Sequence, residues 1–129
     1  MEVLRQLFRE EEIKRLEEQN PYIKYQSKEN LKRVIKLLAD QKCNNRVLRN
    51  IIQTNPNILT RDPDDIEELI YKLKEYHVLH LEKAFDEYPY LLDKNAYEVD
   101  GYFIRKQKEN MTLEEASKQL EEKPYLIEV

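Results

Sequence analysis

The basic side chains between residues 24 and 49 form the pattern in this sequence that is best suited to a binding function. Eight Lys and Arg lie there against two acids, Glu29 and Asp40. Lys28, Lys32 and Lys36 recur every four residues, which places them on one face of a helix. Such a row can neutralise several phosphates. The residues predicted to contact nucleic acid are Lys28, Lys32, Arg33, Lys36, Lys42, Arg46 and Arg49. The alternative is a solvated helix face.

Other reactive side chains lack the partners that catalysis or metal binding requires. His77 and His80 could share a metal ion, but no further ligand is evident and a structural zinc site usually needs four. Acid pairs such as Glu114 and Glu115 are typical of solvated helix faces, whereas acid–base catalysis needs a cleft that shifts one pKa. Cys43 is better explained as a small filler near a helix end than as a nucleophile. We therefore predict no enzyme activity, no cofactor, no metal site and no small-molecule substrate.

Tyrosine is unusually frequent, with nine residues and no tryptophan in the chain. Tyr22, Tyr90 and Tyr125 each follow a proline. The first interpretation is that these rings pack on the turn that the proline makes. The alternative is a row of aromatic contacts along one edge of the fold.

The composition favours exposed helices over a sheet. Of 129 residues, 37% are charged and only one is glycine. The chain therefore has few of the residues that tight hairpin turns between strands require. No apolar run reaches the roughly 18 residues of a membrane span. The first residues are too acidic for a transit peptide and lack the apolar block of a signal peptide. With a lone Cys43 excluding an internal disulfide, these features predict a soluble, cytoplasmic protein.

Charge is divided between the two halves of the sequence. Residues 1–60 carry 12 Lys and Arg against 8 Asp and Glu, whereas residues 61–129 carry 10 against 18. A protein with a net charge of −4 does not attract nucleic acid by default. The basic first half can still present a local positive face.

Four prolines recur at nearly constant spacing and define a repeat. Pro21, Pro56, Pro89 and Pro124 are separated by 35, 33 and 35 residues. An aliphatic residue follows each proline by two positions, and an apolar residue precedes it by eight. Many coincidences at one period indicate repeated supersecondary units. We therefore predict an all-α fold, a short helical-repeat solenoid of about three two-helix repeats, occupying residues 1–129 as a single domain.

Helical periodicity fills each repeat. Apolar residues follow the i, i+3, i+4, i+7 pattern after Ser27 and again after Asp62-Pro63, two helix-start signals. A second helix precedes each proline, at about 2–19, 45–54, 79–88 and 113–122. Each ends at its proline, because the residue before proline avoids helical geometry. The residues predicted to form the core are Leu31, Ile35, Leu38, Leu48, Ile52, Ile66, Ile70, Leu73, Leu81, Phe85 and Phe103.

The proline pattern resembles that of the mitochondrial transcription termination factor (mTERF) family, in which aliphatic residues follow a proline at positions +3, +10 and +17. Pro56, Leu59, Ile66 and Leu73 match all four positions. The repeats at Pro21 and Pro89 each depart once, with Lys24 and Lys106 in place of an aliphatic residue. The resemblance implies two helices and a short 3-10 turn per repeat, wound into a curved superhelix. It also implies binding of double-stranded DNA or RNA along a basic concave groove and a role in organelle gene expression. The short length, the acidic composition and the absence of a transit peptide are departures from the family.

Two functions are compatible with these patterns. The first is a regulatory module that binds DNA or RNA through the basic stripe at 24–49. The second is a protein–protein interaction adaptor or inhibitor that uses the concave or acidic surface, since helical solenoids commonly offer such docking faces. We place nucleic-acid binding first. A membrane partner is not expected.

Overall fold

The computed structural model describes residues 2–129, and these residues form α-helices and short 3-10 helices with no strand among them. The α-helices are α1 (Glu2–Arg5), α2 (Glu10–Gln19), α3 (Lys28–Ala39), α4 (Asn45–Thr54), α5 (Pro63–Glu75), α6 (Leu81–Glu87), α7 (Ala96–Lys108) and α8 (Leu113–Glu122). The 3-10 helices, here called proline turns 1 to 4, are Pro21–Tyr25, Pro56–Thr60, Pro89–Asp93 and Pro124–Glu128. The predicted all-α fold class is confirmed.

The chain divides into two compact units. Unit 1 ends at Pro63, and unit 2 runs from Asp64 to Val129. Unit 1 carries 13 Lys and Arg against 9 Asp and Glu, and unit 2 carries 9 against 17. The units therefore have formal charges of +4 and −8. The division of charge seen in the sequence follows the division of the structure, and the single domain at 1–129 stays a prediction.

Local side-chain caps explain where several of the helices begin. The Ser27 hydroxyl accepts the Asn30 N–H at the start of α3, and the Asn44 side chain accepts the Val47 N–H at the start of α4. Thr112 and Glu115 form a reciprocal capping box at the start of α8. Each cap satisfies a donor that the first helical turn leaves open. The predicted bounds of α4 and α8 are confirmed.

The predicted helix at 2–19 is wrong, because the chain breaks it after Arg5. Arg9 is extended and precedes α2, and its backbone N–H donates to the Glu12 carboxylate at 2.9 Å. The Leu7 carbonyl accepts from the Arg49 guanidinium at 2.6 Å instead of from a following helical turn. Phe8 is buried at the break. Side-chain hydrogen bonds and burial thus replace helical continuity here.

The proline turns pack on the core through aliphatic side chains. Ile23, Ile58 and Leu91, each two residues after the proline, are fully buried. Turn 4 differs, because Leu126 is half-buried and Ile127 is the buried residue. In turn 4 the buried aliphatic residue therefore lies three positions after the proline, one position later than the sequence pattern predicts.

The residue before a proline can contact the proline turn of the next repeat. In unit 1, Asn20 Nδ2 donates to Thr60 Oγ1 at 3.0 Å, and Thr60 is the last residue of turn 2. In unit 2, the Tyr88 hydroxyl donates to the Glu128 carboxylate, four residues after Pro124. The two pairs have the same sequence separation of 40 residues. The 33–35-residue period is therefore matched by a recurring contact.

Ten of the predicted core residues are buried and Ile35 is not. Ile35 is half-buried, and its neighbour Val34 is fully buried instead. Both residues fit an amphipathic pattern, so periodicity alone could not choose between them. The prediction of Ile35 as a core residue is wrong.

The first helix of each complete repeat ends on a left-handed residue that is not glycine. Lys42, His77 and Asn110 have φ values of 70°, 66° and 64°. The N–H of the next residue then donates back to the last helical turn, as from Val78 to the Leu73 carbonyl at 3.0 Å. This geometry is that of a helix C-cap which usually selects glycine.

No helix within residues 2–129 is long and apolar enough to cross a membrane.

Candidate nucleic-acid interface

Helix α3 presents a line of lysines on the surface of unit 1. Leu31, Val34 and Leu38 are buried and hold the opposite face of the helix. Lys28, Lys32 and Lys36 are exposed. An α-helix rises about 1.5 Å per residue, so the three lysines span about 12 Å along its axis. The structure brings these three predicted residues together on one face.

Two of the three lysines have acidic partners at the surface. Lys28 Nζ lies 3.0 Å from Glu2 Oε2, and Lys36 Nζ lies 3.0 Å from Asp40 Oδ2. The hydrogen bond and charge of Lys28 lower the pKa of Glu2. All four side chains are more than half exposed, and exposed pairs of this kind contribute little to stability. A phosphate can therefore replace either carboxylate at small cost.

Lys32 and Lys36 stand beside a groove of about 360 Å³. Val3 and Leu7 from the first segment and Leu48 from α4 complete its apolar lining. Ile35 also lines this groove, which accounts for its partial exposure. The lysines thus flank a concave apolar strip.

The remaining exposed members of the predicted set extend the basic surface. Arg33 lies on α3, Lys42 follows the end of α3, and Arg46 lies in the first turn of α4. All three are exposed. With the lysines of α3 they form what we call the basic surface: Lys28, Lys32, Arg33, Lys36, Lys42 and Arg46.

Arg49 has a different environment from the other predicted residues. Its guanidinium donates to both carboxylate oxygens of Glu12, at 3.2 and 2.8 Å, and to the Leu7 carbonyl. It also lies 5.2 Å from the centre of the Phe8 ring. The side chain of Glu12 is only 6% exposed. Since a buried carboxylate already compensates its charge, we leave Arg49 out of the basic surface.

The Glu12–Arg49 pair shifts the ionisation of both groups. Hydrogen bonds from Arg49 and from the Arg9 N–H lower the pKa of Glu12 to about 2. The hydrogen bond to Glu12 raises the pKa of Arg49. Gln53 also donates to the same carboxylate at 3.1 Å. In the sequence Glu12 looks like one acid of a solvated run, so no signal there distinguished it from Glu10 or Glu11.

The tyrosines that follow the repeat prolines lie on the surface. Tyr22, Tyr90 and Tyr125 are all exposed, so none of these rings is buried against its proline turn. The aliphatic residues after them fill that role. Tyr22 and Tyr90 therefore have ring surface available for contacts outside the chain, although Tyr90 also meets the ring of Tyr88 edge-on at 5.9 Å.

The two histidines lie in the loop between α5 and α6. His77 and His80 are both exposed. The backbone N–H of His80 donates to Glu121 Oε1 at 3.2 Å, as does that of Leu79 at 2.6 Å. Across residues 2–129, no three His, Cys, Asp or Glu side chains are grouped so that they could hold a metal ion.

Comparison of the chain with models of protein families, with curated proteins and with solved structures found no match.

Proposed function

We propose that unit 1 binds the phosphate backbone of a nucleic acid through the basic surface and that the protein acts as a non-enzymatic regulatory module. The observation that carries the proposal is the line of exposed lysines on α3. It lies in a unit of charge +4 within a chain of net charge −4. Bound phosphates release counterions, which favours binding even by an acidic protein if its positive charge is local.

The resemblance to the mTERF family supports the same proposal. The order of two α-helices and a 3-10 turn recurs with the period of the prolines, as that resemblance implies. We propose that the chain is a short relative of this family. With Cys43 buried as a free thiol, the proposed compartment is the cytoplasm.

A second candidate function is a protein-interaction adaptor based on unit 2. This unit has a charge of −8, and Leu79 and Leu113 are exposed beside a groove of about 650 Å³. An acidic surface with an apolar groove suits a basic, amphipathic protein segment. If no nucleic acid binds, protein interaction becomes the preferred function.

The test is reversal of charge on the basic surface. The triple variant Lys32→Glu, Lys36→Glu, Arg46→Glu should lose binding to labelled DNA or RNA in fluorescence anisotropy at about 50 mM salt, where electrostatic attraction is weakly screened. The variant should retain its circular dichroism spectrum, because exposed charges contribute little to stability.

The matched control reverses exposed lysines of unit 2. Lys83→Glu with Lys118→Glu should bind as the unaltered protein does, because the proposed interface lies in unit 1. Equal loss in both variants would point to a general charge effect and contradict the assignment. If the unaltered protein binds neither DNA nor RNA, the proposal is wrong.

A further inference from the structure

Proline turn 1 exposes two tyrosine rings on either side of a lysine. Tyr22 is 70% exposed and Tyr25 is 82% exposed. Lys24, between them in the sequence, is also exposed. Ile23 is fully buried and fixes the turn to the core. Two large rings thus lie in water on a short segment that is itself well anchored.

The geometry of a 3-10 helix places the two tyrosines on the same side. Such a helix has about three residues per turn and a rise of about 2 Å per residue, so residues i and i+3 align about 6 Å apart. Bases in nucleic acids stack about 3.4 Å apart. The two residues are thus set along the turn at a spacing close to twice the base-stacking distance, and each exposed ring offers a face on which a base can stack.

Hydrogen bonds from Asn20 hold this turn in place. Asn20 Oδ1 accepts the Tyr22 N–H at 3.2 Å, and Asn20 Nδ2 donates to Thr60 Oγ1 at 3.0 Å and to the Pro56 carbonyl at 3.3 Å. Asn20 is buried. The backbone that carries the tyrosines is therefore ordered before any ligand binds, which lowers the entropic cost of stacking.

Positive charge continues from the tyrosines to the basic surface. Lys24 and Lys28 line a common groove of about 560 Å³ between turn 1 and the start of α3. Glu2 and Glu17 line it as well, and Glu2 pairs with Lys28. Lys28 also begins the lysine line of α3. If the bases of a nucleic-acid strand stack on turn 1, its phosphates can therefore contact lysines that are spaced along the same direction.

The pairing of two exposed tyrosines occurs in turn 1 and not in the other turns. The corresponding positions are Asn57 and Thr60 in turn 2, Tyr90 and Asp93 in turn 3, and Tyr125 and Glu128 in turn 4. Turns 3 and 4 carry an acid in place of the second ring. The turn that carries two exposed tyrosines therefore lies in unit 1, the unit with the positive charge.

We propose that Tyr22 and Tyr25 form a base-stacking platform and that the ligand of the basic surface is single-stranded nucleic acid. The inference rests on the proposed function and deepens it. Stacking needs bases whose faces are accessible, which a single strand offers and a paired duplex does not. Because every base has a π face, the platform binds with little sequence preference.

The test compares single-stranded and duplex probes with variants of the platform. A labelled oligothymidylate of about twelve nucleotides suits the usual site size of such surfaces. Tyr22→Leu with Tyr25→Leu should weaken its binding by about 5- to 150-fold for each base that stacks. The dependence of affinity on salt should not change, since no cation is removed. The chain has no tryptophan, so tyrosine emission can be followed on binding, and quenching that the Leu pair loses is assigned to these two of the nine tyrosines.

Two further variants separate stacking from unfolding or loss of a hydroxyl. Tyr22→Phe with Tyr25→Phe keeps both rings and should bind as tightly as the unaltered protein. Tyr125→Leu alters the position equivalent to Tyr22 in the acidic unit and should have no effect. A melting temperature for each variant checks that the fold is retained.

The outcomes distinguish this inference from the proposed function. Preference for the single strand, together with loss in the Leu pair only, supports the platform. Equal binding of duplex and single strand with no effect of the Leu pair overturns the platform and leaves the basic surface as a duplex-binding site. If neither probe binds, both proposals fail.

Discussion

At the scale of residues, the most demanding interaction in unit 1 is the Glu12–Arg49 pair. Glu12 accepts from Arg49, from Gln53 and from the Arg9 N–H, so its buried carboxylate is fully partnered. Breaking such a pair leaves a buried charge without compensation, which destabilises a fold more than the loss of an exposed pair does. Arg49 thus has a structural role at the α1–α2 break.

The stability supplied by Glu12 should depend on pH. Its pKa is lowered from 4.5 to about 2 in the folded protein, so its contribution is present above about pH 4.5 and is lost as pH falls toward 2. In urea unfolding, Glu12→Gln should be less stable than the unaltered protein at pH 7. The difference should shrink between pH 4.5 and 2.

The control for this prediction is a neighbouring acid on the surface. Glu11→Gln removes the same charge from the exposed face of α2 and should change stability little at any pH. A constant gap between Glu12→Gln and the unaltered protein down to pH 2 would show that the ion pair does not supply the difference.

The burial of an individual residue was predictable from the sequence only where helical periodicity selects one apolar residue and not two neighbours. The predicted core residues Leu31 and Leu38 are buried. The prediction of Ile35 is wrong, because its neighbour Val34 is the buried residue. Both residues lie near the edge of the apolar stripe, and the packing of α1, α4 and turn 2 against α3 decides which is covered. That packing is tertiary information.

At the scale of elements, the ends of α3, α5 and α7 share a strained feature. Lys42, His77 and Asn110 have positive φ values, which cost a residue with a Cβ roughly 1–2 kcal/mol. Asn tolerates this region better than Lys or His does. The single glycine of the chain lies inside α7, so none of these ends uses the residue that fits best.

Glycine at the end of α5 should stabilise the protein. His77→Gly should raise the free energy of unfolding by about 1 kcal/mol, because it relieves the left-handed conformation. Urea denaturation gives the value. Asn110→Gly should gain less. Lys74→Gly, on the exposed face of α5, should instead lose about 1 kcal/mol, since glycine inside a helix is unfavourable. Destabilisation by His77→Gly would contradict the assigned cap.

The proline turns should contribute to stability through their buried aliphatic residues. Ile58 is fully buried in turn 2, so Ile58→Ala should cost about 2–4 kcal/mol in urea unfolding. Leu126 occupies the same position in turn 4 but is half-buried, so Leu126→Ala should cost clearly less. Equal costs would mean that burial at this position does not determine how much the residue contributes to stability.

Most elements were predictable from local signals, and the exception has a tertiary cause. Ser27, Asn44 and Thr112 cap helices through neighbours within three residues, which the sequence displays. The break after Arg5 depends on Arg49, more than forty residues away. Helical periodicity runs through the break, so the sequence predicted one helix.

At the scale of the whole molecule, charge is distributed by unit. Unit 1 is basic and unit 2 is acidic, and the sequence indicated this division. The sequence also predicted the exposed basic residues of α3 and α4 as a set. It could not separate Arg49 from them, because its partner Glu12 lies in another helix. The tyrosine platform was missed, because exposure of a ring is decided by which neighbouring residue fills the core.

The local distribution of charge, and not the net charge, should govern how salt affects binding. Each phosphate neutralised on duplex DNA contributes about −0.9 to the slope of log affinity against log salt, and about −0.7 on a single strand. Four to six contacts by the basic surface predict a slope of about −3.5 to −5.5 on a duplex, or about −2.8 to −4.2 on a single strand. Anisotropy titrations at several salt concentrations measure it.

Neutralising one residue at a time locates the contacts. Arg46→Gln removes one cation of the basic surface and should make the slope shallower by about 0.7 on a single strand. Lys118→Gln removes the same charge from unit 2 and changes the net charge equally, yet it should leave the slope unaltered. If both variants change the slope alike, phosphate contacts extend to unit 2, and the confinement of binding to the basic surface is wrong. If neither changes it, Arg46 contacts no phosphate, and its place in the proposed interface is wrong.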